Sequence, residues 1–101
     1  MILYNETINI DTGVKDEWLE WIKQVHLPKV MGTKSFTDYR FFKLLSEEEA
    51  NGSTYCIQYF ANTMWDVEDY LENYSNEIQA EHYQKFKDRF AIFSSFLESI
   101  D

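Results

Sequence analysis

Proline is nearly absent from this chain and glycine is scarce, with 1 Pro and 3 Gly in 101 residues. Such a composition excludes collagen-like repeats, loop-rich small scaffolds and extended disorder. Gly13, Gly32 and Gly52 stand too far apart to build a phosphate-cradling loop. Cysteine is limited to Cys56, so no internal disulfide forms and no oxidising compartment is implied. Without a second Cys nearby for metal or redox chemistry, Cys56 reads as a buried inert thiol. Positive charge is short as well: 9 Lys and Arg against 18 Asp and Glu give a net charge of −9. Nucleic acid and anionic membrane surfaces repel such a chain unless its cations share one patch. They are spread out, and only Lys85, Lys87 and Arg89 cluster. No stretch approaches the roughly 20 apolar residues of a membrane span. The first ten residues lack a basic region and carry Glu6, so they do not read as a signal peptide. The expectation is a soluble cytoplasmic protein forming one domain over residues 1–101, with neither nucleic acid nor membrane as partner.

Aromatic residues, in contrast, are abundant: 8 Phe, 7 Tyr and 3 Trp. Residues 2–10 place Ile2, Tyr4, Ile8 and Ile10 on one parity and Asn5, Thr7 and Asn9 on the other, the pattern of a half-buried strand. Residues 14–26 read as a helix, with Val14, Trp18, Leu19, Trp21, Ile22, Val25 and His26 inside an arc of about 160°. Pro28 then suits the first turn of a new short helix, and Gly32 its end. Residues 35–46 and 54–61 read as two strands of a hairpin, joined through the acidic loop that ends in Asn51-Gly52. Thr63 and Asp66 resemble a capping box opening a helix over 64–74. Its apolar stripe and that of Ile78, His82, Phe86 and Phe90 differ in phase by roughly 80°, which predicts a break at 74–76 with Asn76 capping the second piece. Lys85, Lys87 and Arg89 would end that piece, where the helix dipole favours cations. Residues 90–98 read as the last strand.

The order β-α-β-β-α-β predicts an α+β, ferredoxin-like fold: a four-stranded antiparallel sheet with helices on one face. The central hairpin carries bulky apolar groups on both parities, and the helices can cover only one. A partner copy packing its sheet on the uncovered face is the simplest remedy. The expected assembly is therefore a homodimer, a dimeric α/β barrel, with Asn5, Asp38, Phe42 and Cys56 as interface candidates.

Several segments carry a resemblance: Tyr4-Asn5 in the first strand, the helix Trp18-Leu19-Glu20-Trp21 leading to His26-Leu27-Pro28, and Ala80-Glu81-His82-Tyr83-Gln84-Lys85-Phe86. On these the chain resembles the dimeric α/β-barrel superfamily, which includes antibiotic-biosynthesis-type monooxygenases, small isomerases and mutarotases, and stress-responsive barrel proteins. Over nearly its full length it is also similar to an uncharacterised family of bacterial proteins of like size. The resemblance implies the fold; the superfold hosts unrelated chemistries, so it does not assign a reaction.

The candidate pocket residues are His26, His82, Trp21, Arg40, Gln58 and Tyr59. Each histidine lies on an apolar helix stripe. Each is either a proton carrier facing a cavity or a packed core histidine. Arg40 and Asp38 share parity and form either an interface ion pair or, through Arg40, a carboxylate clamp. Trp21, Trp18 and Tyr59 are core residues or the aromatic walls of a site for a flat ligand. Trp65 falls off its helix stripe and reads as a partner contact or a lid. Two His without HxxxH or CxxC spacing point to no metal site, and no cofactor is expected. Two functions follow. One is a small-molecule-binding or interaction module with a small hydrophobic ligand. The other is a cofactor-independent enzyme, monooxygenase- or isomerase-like, acting on a hydrophobic carbonyl or phenolic compound.

Overall fold

The computed structural model describes residues 1–45 and 52–101. The acidic turn expected at 47–51 lies outside them, and Gly52 opens the segment that follows. Its φ of +113° suits glycine, and a Cβ there would lie 2.7 Å from the Ile10 carbonyl oxygen.

Four strands form one antiparallel sheet: β1 (Ile2–Ile10), β2 (Asp38–Lys43), β3 (Ser53–Ala61) and β4 (Phe90–Glu98). Their order across the sheet is β2-β3-β1-β4, so the first and third strands are central. This is the ferredoxin-like α+β arrangement expected from the element order. The strands expected at 2–10, 54–61 and 90–98 match to within one residue. The one expected at 35–46 is shorter among the described residues. Lys34 turns through φ 68° and Phe36 drops into the core, so ladder pairing begins at Asp38 opposite Phe60.

The first helical stretch differs more. After a 3₁₀ turn at Thr12–Val14 come α1 (Lys15–Trp21), a π turn (Ile22–His26) and α2 (Leu27–Met31), without an interruption. Pro28 stands in the first turn of α2, as expected, and Gly32 caps its end, although the helical backbone runs on from α1 without a gap. Pro28 lacks an N–H and crowds the carbonyl four residues back. The wider turn, closed by the Leu27 N–H on the Ile22 carbonyl, takes up that misfit. The additional residue rotates the stripe. Val25, expected inside, is 39% exposed, whereas His26, Leu27 and Val30 are buried.

The capping box is present: Thr63 accepts from the Asp66 N–H, and Asp66 accepts from the Thr63 N–H. It opens α3 (Met64–Asn73). Thr63→Ala is expected to lower the urea midpoint by an amount equal to about 1 kcal/mol. An unchanged midpoint would show that the cap adds nothing. The predicted break falls at Tyr74, whose backbone leaves the helical region (φ −128°, ψ −34°). It is followed by α4 (Ser75–Lys85), so Asn76 lies inside the helix and is not its cap. Lys87 and Arg89 lie beyond that helix, past a turn in which Asp88 has φ 61°. Arg89 instead holds Asp11 at 3.0 Å, tying the entry of β4 to the end of β1.

The helices cover the face of the sheet that carries Ile2, Tyr4, Ile8, Ile10, Tyr55, Ile57 and Tyr59. The opposite face is open. Strand register orders it into four rows: Asp38, Phe60, Leu3 and Leu97; Arg40, Gln58, Asn5 and Ser95; Phe42, Cys56, Thr7 and Phe93; Leu44, Thr54, Asn9 and Ala91. The second row is polar throughout, and apolar groups crowd the rows beside it.

Candidate functional site

The candidate pocket residues do not converge on one place. Three sites hold them.

The first is an aromatic box between α1, the π turn, α4 and the start of β4. His26 and His82 have ring centroids 5.3 Å apart, and Trp21 lies 5.4 and 5.5 Å from them. Phe90 stacks on His82 at 4.0 Å. The Trp18 indole N–H donates to His82 Nε2 at 3.0 Å, which fixes the proton of the neutral imidazole on Nδ1. Neither His82 Nδ1 nor His26 Nε2 has a hydrogen-bond partner among the described residues. Burial drives both imidazoles toward the neutral form, His26 down to about 4 against the opposing pull of the Glu81 charge, and His82 to about 3 with His26 acting the same way. Both are uncharged near neutral pH.

The second site surrounds Tyr59, on the same helix-covered face. Phe36, Tyr4 and Tyr70 pack with Tyr59 in one aromatic cluster, with Phe36 5.0 Å from both Tyr59 and Tyr70. At its centre lies Glu6, on the middle strand and only 1% exposed. Glu6 Oε2 accepts from Gln79 Nε2 at 2.9 Å and from the Tyr4 hydroxyl at 3.4 Å. Glu6 Oε1 has no partner among the described residues, and neither do the hydroxyls of Tyr59 and Tyr70. Burial raises the Glu6 carboxyl to about 7, against the opposing pull of its bonds from Gln79 and Tyr4. Burial and the nearby Glu6 charge push Tyr4 up to about 12 and hold Tyr59 and Tyr70 well above the ordinary phenol range, so all three phenols stay protonated.

Glu6 is the residue that the strand pattern hides. It shares the parity of Ile2, Tyr4, Ile8 and Ile10, and a carboxylate at that position of a half-buried strand is the available signal. Tyr70 and Gln79 join it only because α3 and α4 fold over β1.

The third site is the open sheet face, which holds Arg40 and Gln58 beside Asn5, Asp38, Phe42 and Cys56. Arg40 pairs with Asp38 along its own strand and lies 5.8 Å from the Phe60 ring. Asn5 donates to Thr7 at 3.1 Å and to Ser95 at 3.5 Å, linking β1 to β4 within the polar row.

Clefts among the described residues open to solvent. One of about 430 Å³ lies at the sheet end, around Asp11, Asp88 and Arg89. One of about 360 Å³ lies at the α3–α4 junction, lined by Lys29, Gly32, Thr33, Tyr74, Glu77 and Ile78. One of about 350 Å³ lies on the open face beside Leu44 and Phe93. Neither histidine lines any of them.

This sheet order, with paired helices on one face, defines a ferredoxin-like α+β protein of the kind found among antibiotic-biosynthesis-monooxygenase-like proteins. The chain belongs to the family described as Domain of unknown function (DUF4286), whose pattern matches residues 1–100. No curated protein matches it. Among solved structures it is similar to a dimeric ferredoxin-like protein from an uncultured marine organism, with TM-score 0.77, 6% identity, and 99% of this chain and 95% of that one covered. HapK from Hahella chejuensis gives TM-score 0.72 at 13% identity over 99% and 93% of the two chains. SnoaB from Streptomyces nogalater, described as a cofactor-independent oxygenase, gives 0.67 at 9% identity over 99% and 93%. At these identities the likeness establishes the fold alone.

Proposed function

We propose that residues 1–101 form one homodimeric, small-molecule-binding module in which the open sheet faces of two copies pack into a shared barrel. The observation that carries this reading is the uncovered face itself. Phe42 is 51% exposed, Leu97 53% and Phe93 66%, on a sheet whose other face is closed by helices. Apolar groups gathered on one flat face are an interface in waiting. The polar row of Arg40, Gln58, Asn5 and Ser95 fits a twofold contact, because each of its groups could meet a different group of the same row in the other copy and fix the register of the two sheets. Two of the similar structures are described as dimeric ferredoxin-like proteins, which supports the same assembly. We place the module in the cytoplasm, where a lone thiol is ordinary. No helix among the described residues is long and apolar enough to cross a membrane.

Sedimentation equilibrium at micromolar concentration is expected to give twice the chain mass of 12.2 kDa. Phe93→Glu combined with Phe42→Glu should return it to the monomer mass with unchanged far-ultraviolet dichroism, since both side chains are exposed in the single chain. A wild-type chain that sediments as a monomer would overturn the assembly.

A further inference from the structure

We propose that Glu6 is the proton-accepting group of the small-molecule site, and that the Tyr59 and Tyr70 hydroxyls hold the oxyanion that this proton transfer creates. The inference rests on the small-molecule reading above and gives it a site and a ligand class.

Three buried oxygens without partners among the described residues carry the argument: Glu6 Oε1, the Tyr59 hydroxyl and the Tyr70 hydroxyl. A buried polar atom left without a hydrogen bond destabilises a fold, and native structures hold only a few. Here three share one aromatic enclosure, close enough for the Glu6 charge to act on both phenols. The chemistry of the three groups is complementary to that of a small molecule. An ionised carboxylate oxygen accepts, and two protonated phenols donate. A group with one acidic proton and lone pairs on oxygen satisfies all three. The rings of Tyr4, Phe36, Tyr59 and Tyr70 favour a flat apolar body behind that group.

The step balances without an oxidant, a metal or a co-reactant. The neutral ligand releases one proton, its O–H or α-C–H bond breaks, and an O–H bond forms at the Glu6 carboxylate. The electron pair stays on the ligand as a phenolate or enolate oxygen, and Tyr59 and Tyr70 donate hydrogen bonds to it. Returning the proton completes the cycle. A carboxyl that titrates near 7 is matched to this work, whereas imidazoles held neutral down to about 4 and 3 are weak proton acceptors.

The route to the site is the cleft of about 360 Å³ at the α3–α4 junction, large enough for a bicyclic molecule. Tyr74 lines that cleft and stacks on Tyr70, with centroids 6.5 Å apart. It sits at the helix break and is 40% exposed. Ile78, the next wall, precedes the Gln79 that holds Glu6. Tyr74 thus stands between the cleft and the tyrosine layer.

The test uses β-naphthol and β-tetralone on the full chain at about pH 8, where Glu6 is ionised. β-Naphthol should bind and show the absorption band of its anion in a buffer where the free compound is neutral. Glu6→Gln should abolish that band. Tyr59→Phe and Tyr70→Phe should each weaken binding about tenfold with no loss of melting temperature, a result that a purely structural role does not give. Exchange of the α-protons of β-tetralone in D₂O, followed by NMR, separates the ligand sources. Exchange that depends on Glu6 assigns enolisable carbonyls, and an anion band without exchange assigns phenols. A band that stays neutral, or the same band in Glu6→Gln, overturns the proposal. So does unaltered binding in both phenylalanine variants, which would leave a trapped water as the occupant. Light scattering on the same samples keeps the two readings apart. A monomer that ionises β-naphthol retires only the dimer, and a dimer that does not retires only this site.

Discussion

Trp18→Ala is expected to leave the chain barely folded at 25 °C. Trp18 is fully buried, with Tyr55 and Phe41 packed on one side and His82 on the other. Removing a buried Trp costs about 3–5 kcal/mol through lost burial and the cavity left behind. The indole N–H is also the partner of His82 Nε2, and stranding that buried acceptor adds about 1–3 kcal/mol. A domain of this length has roughly 5–15 kcal/mol in all. Trp18→Phe separates the two contributions, since it keeps most of the volume and loses only the donor. Urea unfolding followed by far-ultraviolet dichroism should rank wild type well above Trp18→Phe, and that variant above Trp18→Ala. Equal midpoints for wild type and Trp18→Phe would show that the indole–imidazole bond contributes nothing.

Stability should rise from pH 4 to about pH 7 and then level off, the net of two opposing contributions. The folded chain holds His26 near 4 and His82 near 3, below the ordinary 6.5. Unfolded imidazoles therefore take up protons that the folded ones refuse. The stability tied to their neutrality is complete above 6.5 and drains away as the pH falls toward 4 and below. Glu6 works in the other direction. Its carboxyl is raised from 4.5 to about 7, so the folded chain keeps a proton that the unfolded chain has lost. That contribution is complete below 4.5 and disappears as the pH rises to 7, a change of roughly 3 kcal/mol. Between 4.5 and 6.5 two histidines oppose one carboxyl, and the histidines prevail. Melting temperatures measured from pH 4 to 8 should show the rise and the plateau. Glu6→Gln should steepen the rise, because the opposing carboxyl is gone. A wild-type profile that is flat below pH 6.5 would mean that the imidazoles reach water.

The strands and the two helical regions were legible in the sequence because each is written in short-range periodicity. Alternation over residues 2–10 marks a strand directly, and the phase jump between Tyr74 and Ile78 marks the break between α3 and α4. The surplus of apolar side chains on both parities of the hairpin likewise announced an uncovered face. The π turn was not legible, because it settles a clash between Pro28 and a carbonyl one turn earlier, and it turned Val25 outward while drawing Leu27 and Val30 inside. The candidate site was half legible. Trp21, His26 and His82 do gather, but Arg40 and Gln58 lie on the far side of the sheet and Tyr59 belongs to another cluster.

By itself the sequence determined the element order, the ferredoxin-like class and the excess of aromatic surface, all of which follow from residues close together along the chain. Only the tertiary structure decided the company of Glu6. A carboxylate on an apolar strand face carries no label until other elements close over it. α3 brings Tyr70, α4 brings Gln79, and β3 lays Tyr59 alongside. The loss of water from that enclosure, a property of the packed whole and of no local segment, raises the Glu6 carboxyl to about 7 and leaves three oxygens without partners among the described residues.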